Sequence, residues 1–365
     1  MLKDIAAGAR YARSWLTGNA DVVASEVELD RGDRTVPATV ILPARHRGSL
    51  PGWVLLHGAT VPGREHAQLV RFARSMAHSG AAVIIPEVPE WRTLALAPGL
   101  TLPTVRAAVP ALRARPEVAA RPVGVVGFSF GAPHAVVAAG DPALASELAG
   151  VVAFGGYCDL PRTLRFLFLG EHEWNGERFT ASPDPYGRWI VGGNYLHQTP
   201  GYEDAADVAE ALRELAARAG ASGLPAGDRG HDAVKDELAR RVDPRRRALF
   251  AAFAPPAGTL PDRAQAERLV ADMAAAIRRV DPPMDPAEGL RRVALPVHLV
   301  HGHGDTLIPY TESLRMAEQL EASPRVRVTV TARFAHSREQ RGSGISGMLD
   351  GLSFVRTLGQ VRRMV

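Results

Sequence analysis

Short runs of wholly apolar residues recur through the first part of the chain, at 53–56, 81–85, 123–126 and 150–154. Segments with helical periodicity separate them, at 67–79, 104–112 and 132–139. A strand that is apolar at every position is typical of a parallel sheet, because helices cover both faces of such a sheet. The alternation therefore predicts an α/β fold with a mostly parallel, doubly wound sheet.

The alternation stops after residue 156 and resumes near residue 282. Between these points we find no apolar strand run, but helical periodicity at 205–219, 233–241 and 263–279. Beyond them come a strand at 297–300, a helix at 312–320, a strand at 326–330 and a last helix at 345–358. The simplest organisation is one α/β domain, residues 1–156 and 282–365, interrupted by a mainly helical insertion, residues 157–281.

The first 20 residues form a separate segment. Their apolar side chains fall at helical spacing and predict an N-terminal helical extension within 1–20. This helix either docks on the body of the protein or lies on a membrane surface. The segment has charged residues and no continuous apolar stretch, so it does not look like a secretory signal. Two runs that follow, 22–29 and 35–42, predict an antiparallel hairpin.

Composition narrows the classes of partner. The chain has a formal charge of +4, and its basic residues are mostly arginines scattered along the sequence. Scattered charge favours an ordinary solvated surface over a nucleic-acid site. The single cysteine, Cys158, excludes an internal disulfide, and no run of about 18 apolar residues exists to span a membrane. We expect a cytoplasmic protein with no nucleic-acid partner and no integral membrane span, and the oligomeric state stays open.

One motif carries chemistry. Gly127-Phe128-Ser129-Phe130-Gly131 follows the strand at 123–126 directly and precedes a helix. This G-x-S-x-G pattern between strand and helix is the setting of a nucleophile elbow, in which a sharp turn exposes the serine hydroxyl at the end of the sheet. The alternative is a serine in an ordinary turn. We interpret Ser129 as the nucleophile.

A nucleophilic serine needs a base and a carboxylate that orients the base. His336 is the one histidine after residue 305, and it lies just past the strand at 326–330. Asp305 lies in a turn at the carboxyl end of the strand at 297–300. The carboxyl ends of parallel strands share one edge of a sheet, so these positions predict a Ser129–His336–Asp305 triad. A surface histidine and a turn aspartate are the alternatives.

An oxyanion hole needs two backbone N–H donors. The first is expected from Phe130, the residue after the nucleophile. The second is expected from the loop after an earlier strand, where Leu56-His57-Gly58-Ala59-Thr60 offers Ala59, with Thr60 as a neighbour that could substitute.

Other residues admit competing interpretations. His298, His301 and His303 with Asp305 could bind a metal, but the glycines between them are typical of a turn, and we expect no metal. Glu171-His172-Glu173 is either a substrate contact or a solvated loop, and we interpret His134 as a packing residue. Four aromatic residues of the insertion either line an acyl pocket or form the insertion's own core: Phe166, Phe168, Trp174 and Trp189.

Four blocks resemble the α/β-hydrolase superfamily, in the order LLHGA (55–59), GFSFG (127–131), HGHGDTLIP (301–309) and FAHS (334–337). The chain looks most similar to esterases and to the dienelactone-hydrolase-like and prolyl-oligopeptidase-like branches. The resemblance implies a sheet of about eight strands, the chain order serine, acid, histidine, a cap inserted after the sixth strand, and no cofactor. In one departure, dienelactone hydrolases carry cysteine where this chain has Ser129.

These residues and the resemblance together predict a serine hydrolase that cleaves a small-molecule carboxylic ester through an acyl-enzyme. The predicted substrate contacts are Thr60, Phe166, Phe168, Trp174 and Trp189. A peptidase, thioesterase or acyltransferase would use the same groups. A non-catalytic ligand-binding protein of the same fold is the alternative from another class.

Overall fold

The computed structural model describes residues 2–332 and two short strands, 334–335 and 338–339. The strands are β1 (Val22–Asp30), β2 (Thr35–Pro43), β3 (Gly52–Leu56), β4 (Ala82–Pro86), β5 (Val123–Phe128), β6 (Leu148–Phe154), β7 (Glu171–Trp174), β8 (Glu177–Thr180), β9 (Val297–Gly302), β10 (Val326–Thr331), β11 (Phe334–Ala335) and β12 (Arg338–Glu339). The α-helices are α1 (Leu2–Thr17), α2 (Ala67–His78), α3 (Pro89–Arg92), α4 (Thr101–Arg113), α5 (Gly131–Ala138), α6 (Leu160–Leu169), α7 (Tyr186–Tyr195), α8 (Ala206–Ser222), α9 (Asp232–Arg241), α10 (Arg247–Phe253), α11 (Arg263–Val280), α12 (Ala287–Leu290) and α13 (Thr311–Gln319).

Eight strands form one sheet in the order β1-β2-β4-β3-β5-β6-β9-β10. The pairs β1–β2 and β2–β4 are antiparallel, and the remaining pairs are parallel. The predicted mostly parallel sheet is therefore confirmed. Strands β3 and β4 are buried at every residue, which explains why the sequence shows them as unbroken apolar runs.

The insertion lies between β6 and β9, which are neighbours in the sheet. It contains helices α6 to α11 and the antiparallel hairpin β7–β8. The sequence analysis missed this hairpin because its residues are mostly polar and none is fully buried. A signal was present: Asn175-Gly176 joins the strands, both residues have positive φ, and Asn-Gly is typical of a two-residue hairpin turn. Three helices of the insertion, α6, α7 and α10, were also missed.

The N-terminal helix α1 packs on α2. The Tyr11 ring is buried and meets the Phe72 ring edge to face at 5.8 Å, and the Ser14 and Ser75 hydroxyls lie 3.1 Å apart. Of the two alternatives for this segment, the structure shows the docked one. Among the described helices, none combines the length and apolar character that crossing a bilayer requires. The last predicted helix, 345–358, lies outside the described residues.

Candidate active site

Ser129 occupies a sharp turn between β5 and α5. Its backbone φ is 52°, in the left-handed region that residues with side chains seldom adopt. Backbone hydrogen bonds hold the turn: Ser129 N–H donates to the carbonyl of Phe154 on β6 at 2.8 Å, and Ala132 N–H donates to the Ser129 carbonyl at 2.9 Å. Strained backbone of this kind persists only where the surroundings enforce it, and it is frequent at functional sites.

The glycines of the motif allow close approach. A Cβ on Gly127 would lie 2.4 Å from the Gly131 carbonyl oxygen, and one on Gly131 would lie 2.4 Å from the His57 carbonyl oxygen. A Cβ on Gly58 would lie 3.4 Å from Ser129 Oγ. Glycine therefore lets helix α5 rest on its own strand and lets the loop after β3 reach the serine hydroxyl.

The two predicted oxyanion donors lie near Ser129: Phe130 is the next residue in the chain, and Ala59 belongs to the loop that approaches Ser129 in space. Phe130 precedes the first residue of α5, and Ala59 follows Gly58. In the described part of the chain, neither backbone N–H has a hydrogen-bond acceptor. Thr60 is half-buried in the same loop, and its carbonyl accepts from Gly63 N–H at 2.9 Å.

Asp305 is buried in the turn after β9, with 5% of its surface exposed. Its Oδ1 accepts hydrogen bonds from Leu307 N–H at 2.9 Å and Ile308 N–H at 3.0 Å. These bonds fix the carboxylate at the carboxyl edge of the sheet. Two other acids that follow strands of the sheet have partners of their own: Asp159 caps α6 by accepting from Arg162 N–H, and Glu87 lies 2.9 Å from His57 Nε2.

The predicted base, His336, lies outside the described residues. The backbone on either side of it is described: β11 and β12 form a short antiparallel pair, with Ala335 opposite Arg338. The triad prediction stays a prediction for this residue.

The histidines of the 298–303 segment have different hydrogen-bond partners, and His301 Nε2 also lies 3.5 Å from Asp305 Oδ2. His301 is buried, with Nδ1 2.6 Å from the Ser313 hydroxyl and Nε2 donating to the Ile308 carbonyl at 2.9 Å. His298 Nε2 lies 2.9 Å from the Thr329 hydroxyl, and the exposed His303 stacks on Tyr310. Within residues 2–332, no cluster of three or more potential metal ligands occurs.

His134, on α5, is enclosed by neighbours. The Tyr157 hydroxyl donates to the Met284 carbonyl at 2.9 Å, so His134 Nε2, 3.0 Å from that hydroxyl, carries a proton and donates to it. Burial lowers the pKa of His134 to about 3, so the ring is neutral at physiological pH. These contacts describe a packing residue.

The insertion contacts the loops of the carboxyl edge. Asp184 N–H donates to the Thr306 carbonyl at 2.7 Å, next to Asp305. Gly187 packs on Leu307, and Gly220 packs on both Val61 and the Tyr186 hydroxyl. The insertion also contacts the loop after α3, where the Asn194 side chain donates to the Leu94 carbonyl at 2.9 Å and accepts from Leu96 N–H at 3.1 Å.

The aromatic residues predicted to contact substrate divide into two groups. Phe166, Phe168 and Trp189 are fully buried among residues of the insertion: Phe168 packs on Phe253, and Trp189 Nε1 donates to the Phe253 carbonyl at 3.0 Å. Trp174 is half-buried on β7, with the Arg315 guanidinium over its ring at 5.7 Å. The burial of the first group favours a role in the core of the insertion over a role in lining an acyl pocket.

The structure resembles solved structures at low sequence identity. An acylaminoacyl peptidase from Pyrococcus horikoshii aligns with a TM-score of 0.53 at 13% identity, over 93% of this chain and 42% of the peptidase. This chain thus spans less than half of that protein's length. A hypothetical protein from Pseudomonas aeruginosa aligns with a TM-score of 0.51 at 16% identity, over 95% of each chain. A putative dienelactone hydrolase from Klebsiella pneumoniae gives a TM-score of 0.47 at 13% identity, over 94% of this chain and all of that one.

No family model and no curated protein matches the sequence. At these identities the structural likeness shows the fold. The strand order, the insertion after the sixth strand and the serine at the turn after the fifth strand agree with it. The chain has the α/β-hydrolase fold.

Proposed function

We propose that this protein is a serine hydrolase that cleaves carboxylic esters by way of an acyl-enzyme on Ser129. The observation that carries the proposal is the left-handed Ser129 at the strand–helix turn, with Gly58 close to its hydroxyl. Such a turn needs a glycine on each side and a strained serine, and an ordinary βα connection needs neither.

The proposed mechanism follows from these positions. Ser129 Oγ attacks the ester carbonyl while His336 takes its proton, and the buried Asp305 carboxylate stabilises the imidazolium. The N–H groups of Ala59 and Phe130 bind the oxyanion. His336 then gives its proton to the leaving alcohol, and water releases the acid by the same route.

We further propose that the insertion, residues 157–281, is a cap that selects the substrate. Support comes from its contacts with the loops that carry Asp305 and the oxyanion donors. Three half-buried apolar residues of this edge, Ala59, Val61 and Leu307, pack against the same hydrophobic cluster as Tyr186 of the insertion. An apolar acyl group is the substrate portion that such a wall would accept.

The test is labelling by a fluorophosphonate together with turnover of p-nitrophenyl esters of increasing acyl length. We expect the wild type to label and to hydrolyse these esters. Ser129→Ala should keep its fold by circular dichroism, lose labelling and lose at least about 10³-fold in kcat. Labelling of Ser129→Ala equal to wild type would refute the nucleophile assignment.

The same experiment separates the remaining alternatives. Faster turnover of an aminoacyl anilide than of any ester would favour a peptidase. Absence of both labelling and turnover in a folded wild type would favour a ligand-binding protein.

A further inference from the structure

His57 directly follows β3 and is the first residue of the oxyanion loop, and its ring is buried. Nδ1 lies 2.7 Å from the carbonyl oxygen of the next residue, Gly58. A carbonyl oxygen can only accept, so Nδ1 carries a proton and donates. The ring therefore holds one peptide group, the peptide between Gly58 and Ala59.

Holding that carbonyl fixes the direction of an N–H group. In a trans peptide the carbonyl of Gly58 and the N–H of Ala59 lie in one plane and point in opposite directions. If the carbonyl faces the His57 ring, the Ala59 N–H faces away from it. Gly58 lies beside Ser129 Oγ, so the N–H has the oxyanion position within reach.

The other side of the His57 ring is also held. Val88 N–H donates to Nε2 at 3.0 Å, and Glu87 Oε1 lies 2.9 Å from the same nitrogen. The direction of the Val88 N–H makes Nε2 an acceptor in the neutral ring, whereas a protonated Nε2 would face the Glu87 carboxylate. Both protonation states keep the proton on Nδ1 and thus keep the bond to Gly58.

Glu87 links this ring to the rest of the oxyanion loop. Its carboxylate is buried and lies 3.4 Å from Arg92 Nη1 and 3.6 Å from Arg64 Nε. Burial opposes its ionisation, but the His57 contact, the Arg64 backbone N–H and the Arg92 charge outweigh burial and lower the pKa of Glu87. Arg64 belongs to the loop itself, so the carboxylate ties both ends of the loop to β4.

We infer that His57 is a positioning residue that aims the Ala59 N–H into the oxyanion hole, and that Glu87 holds the loop and the ring in place for it. This inference rests on the proposed function. It also chooses Ala59 over Thr60 as the donor, because Ala59 N–H belongs to the peptide that His57 holds.

Two substitutions separate the two nitrogens of the ring. The amide of His57→Asn occupies the place of Nδ1 and can still donate to the Gly58 carbonyl. The amide of His57→Gln occupies the place of Nε2, so it can accept from Val88 N–H but cannot reach Gly58. His46→Gln is the matched control, since His46 contacts the Gly48 carbonyl at 3.0 Å in an exposed loop.

For p-nitrophenyl esters we expect His57→Gln to lower kcat by about 30- to 100-fold with KM changed less than about threefold. His57→Asn should stay within about fivefold of wild type, and His46→Gln should match wild type. A trifluoromethyl ketone, whose adduct with Ser129 carries an oxyanion, should lose affinity in His57→Gln by the same factor as kcat.

Equal kcat losses in the two His57 variants, or losses that follow their melting temperatures, would overturn the inference. So would unchanged trifluoromethyl ketone affinity in His57→Gln. In all these cases an active, labelled wild type leaves the proposed function standing. A wild type that neither labels nor turns over would instead remove the proposed function, and this inference with it.

Discussion

The carboxyl edge of the sheet and the insertion above it are stabilised by different interactions. At the edge, backbones approach closely at glycines and polar groups make directed bonds, as at Asp305 and His57. Inside the insertion, large apolar side chains such as Phe168 and Trp189 fill the core. Directed bonds fix positions to fractions of an ångström, whereas apolar packing tolerates exchange if volume is kept. The edge therefore depends on the positions of individual polar groups, and the insertion depends on filled volume.

The largest effect should come from Asp305→Asn. The asparagine Oδ1 can still accept from Leu307 and Ile308 N–H, so the turn is kept. The base would lose its carboxylate partner, and kcat should fall by about 10³- to 10⁴-fold. Steady-state kinetics with p-nitrophenyl acetate measure this, with circular dichroism as the control for folding. A loss under tenfold would show that another acid orients the base.

A substitution in the core of the insertion should lower the stability of the protein and leave its ester preference unchanged. Phe168→Ala leaves a cavity and should lower the free energy of unfolding by about 3–5 kcal/mol. The ratio of long-chain to acetyl ester turnover should stay near wild type, because this ring lies in the core.

The matched variant is Tyr186→Leu, which alters the wall near Val61. It should change that ratio by about fivefold or more while acetyl ester turnover stays similar. If Phe168→Ala changed the ratio more than Tyr186→Leu, the division between core and wall would be wrong.

A third variant probes close approach at the edge. Gly127→Ala places a methyl group against the Gly131 carbonyl and Ala132, so the unfolding free energy should fall by about 1–3 kcal/mol and labelling of Ser129 should slow. Gly99→Ala, where nothing lies within 4 Å, is the control and should change neither. Urea denaturation measures the unfolding free energy of each variant, and a time course with the fluorophosphonate measures the labelling rate. Equal stability of the two variants would contradict the proposed close packing.

The last prediction concerns pH. The His134 pKa falls from 6.5 to about 3 on folding, so below pH 6.5 the unfolded chain binds the proton more readily than the native one. The stabilisation is complete above that pH and is lost toward pH 3, by up to about 1.4 kcal/mol per pH unit. His134→Gln, which can still donate to Tyr157, should show a shallower acid limb in urea titrations between pH 7 and 4. An unchanged slope would mean that His134 titrates normally.

The sequence predicted the sheet and the serine turn well because their causes are local. Buried parallel strands show as apolar runs, and a turn as tight as that at Ser129 admits only glycine on either side. The turn that holds Asp305 was predicted for the same reason.

What the sequence did not reveal depends on distant contacts. His57 and Glu87 are 30 positions apart, and only the pairing of β3 with β4 brings them together. An aromatic residue such as Trp189 suits a pocket wall and a core equally, so only the packing decides between them. The hairpin β7–β8 lacks the apolar alternation by which strands are recognised.

The two ends of the insertion meet. The Tyr157 hydroxyl near its start binds the Met284 carbonyl just past its end, and β6 pairs directly with β9, with Val151 opposite Val297. Holding the ends of a segment adjacent costs loop-closure entropy that grows only slowly with the segment's length, by about 0.6 kcal/mol for each doubling. The insertion can therefore be exchanged for another of different size without a change in the register of the sheet. A library of chimaeras joined at 157 and 284 would test the proposed cap on one scaffold, provided that each replacement covers the apolar side chains that the present insertion buries.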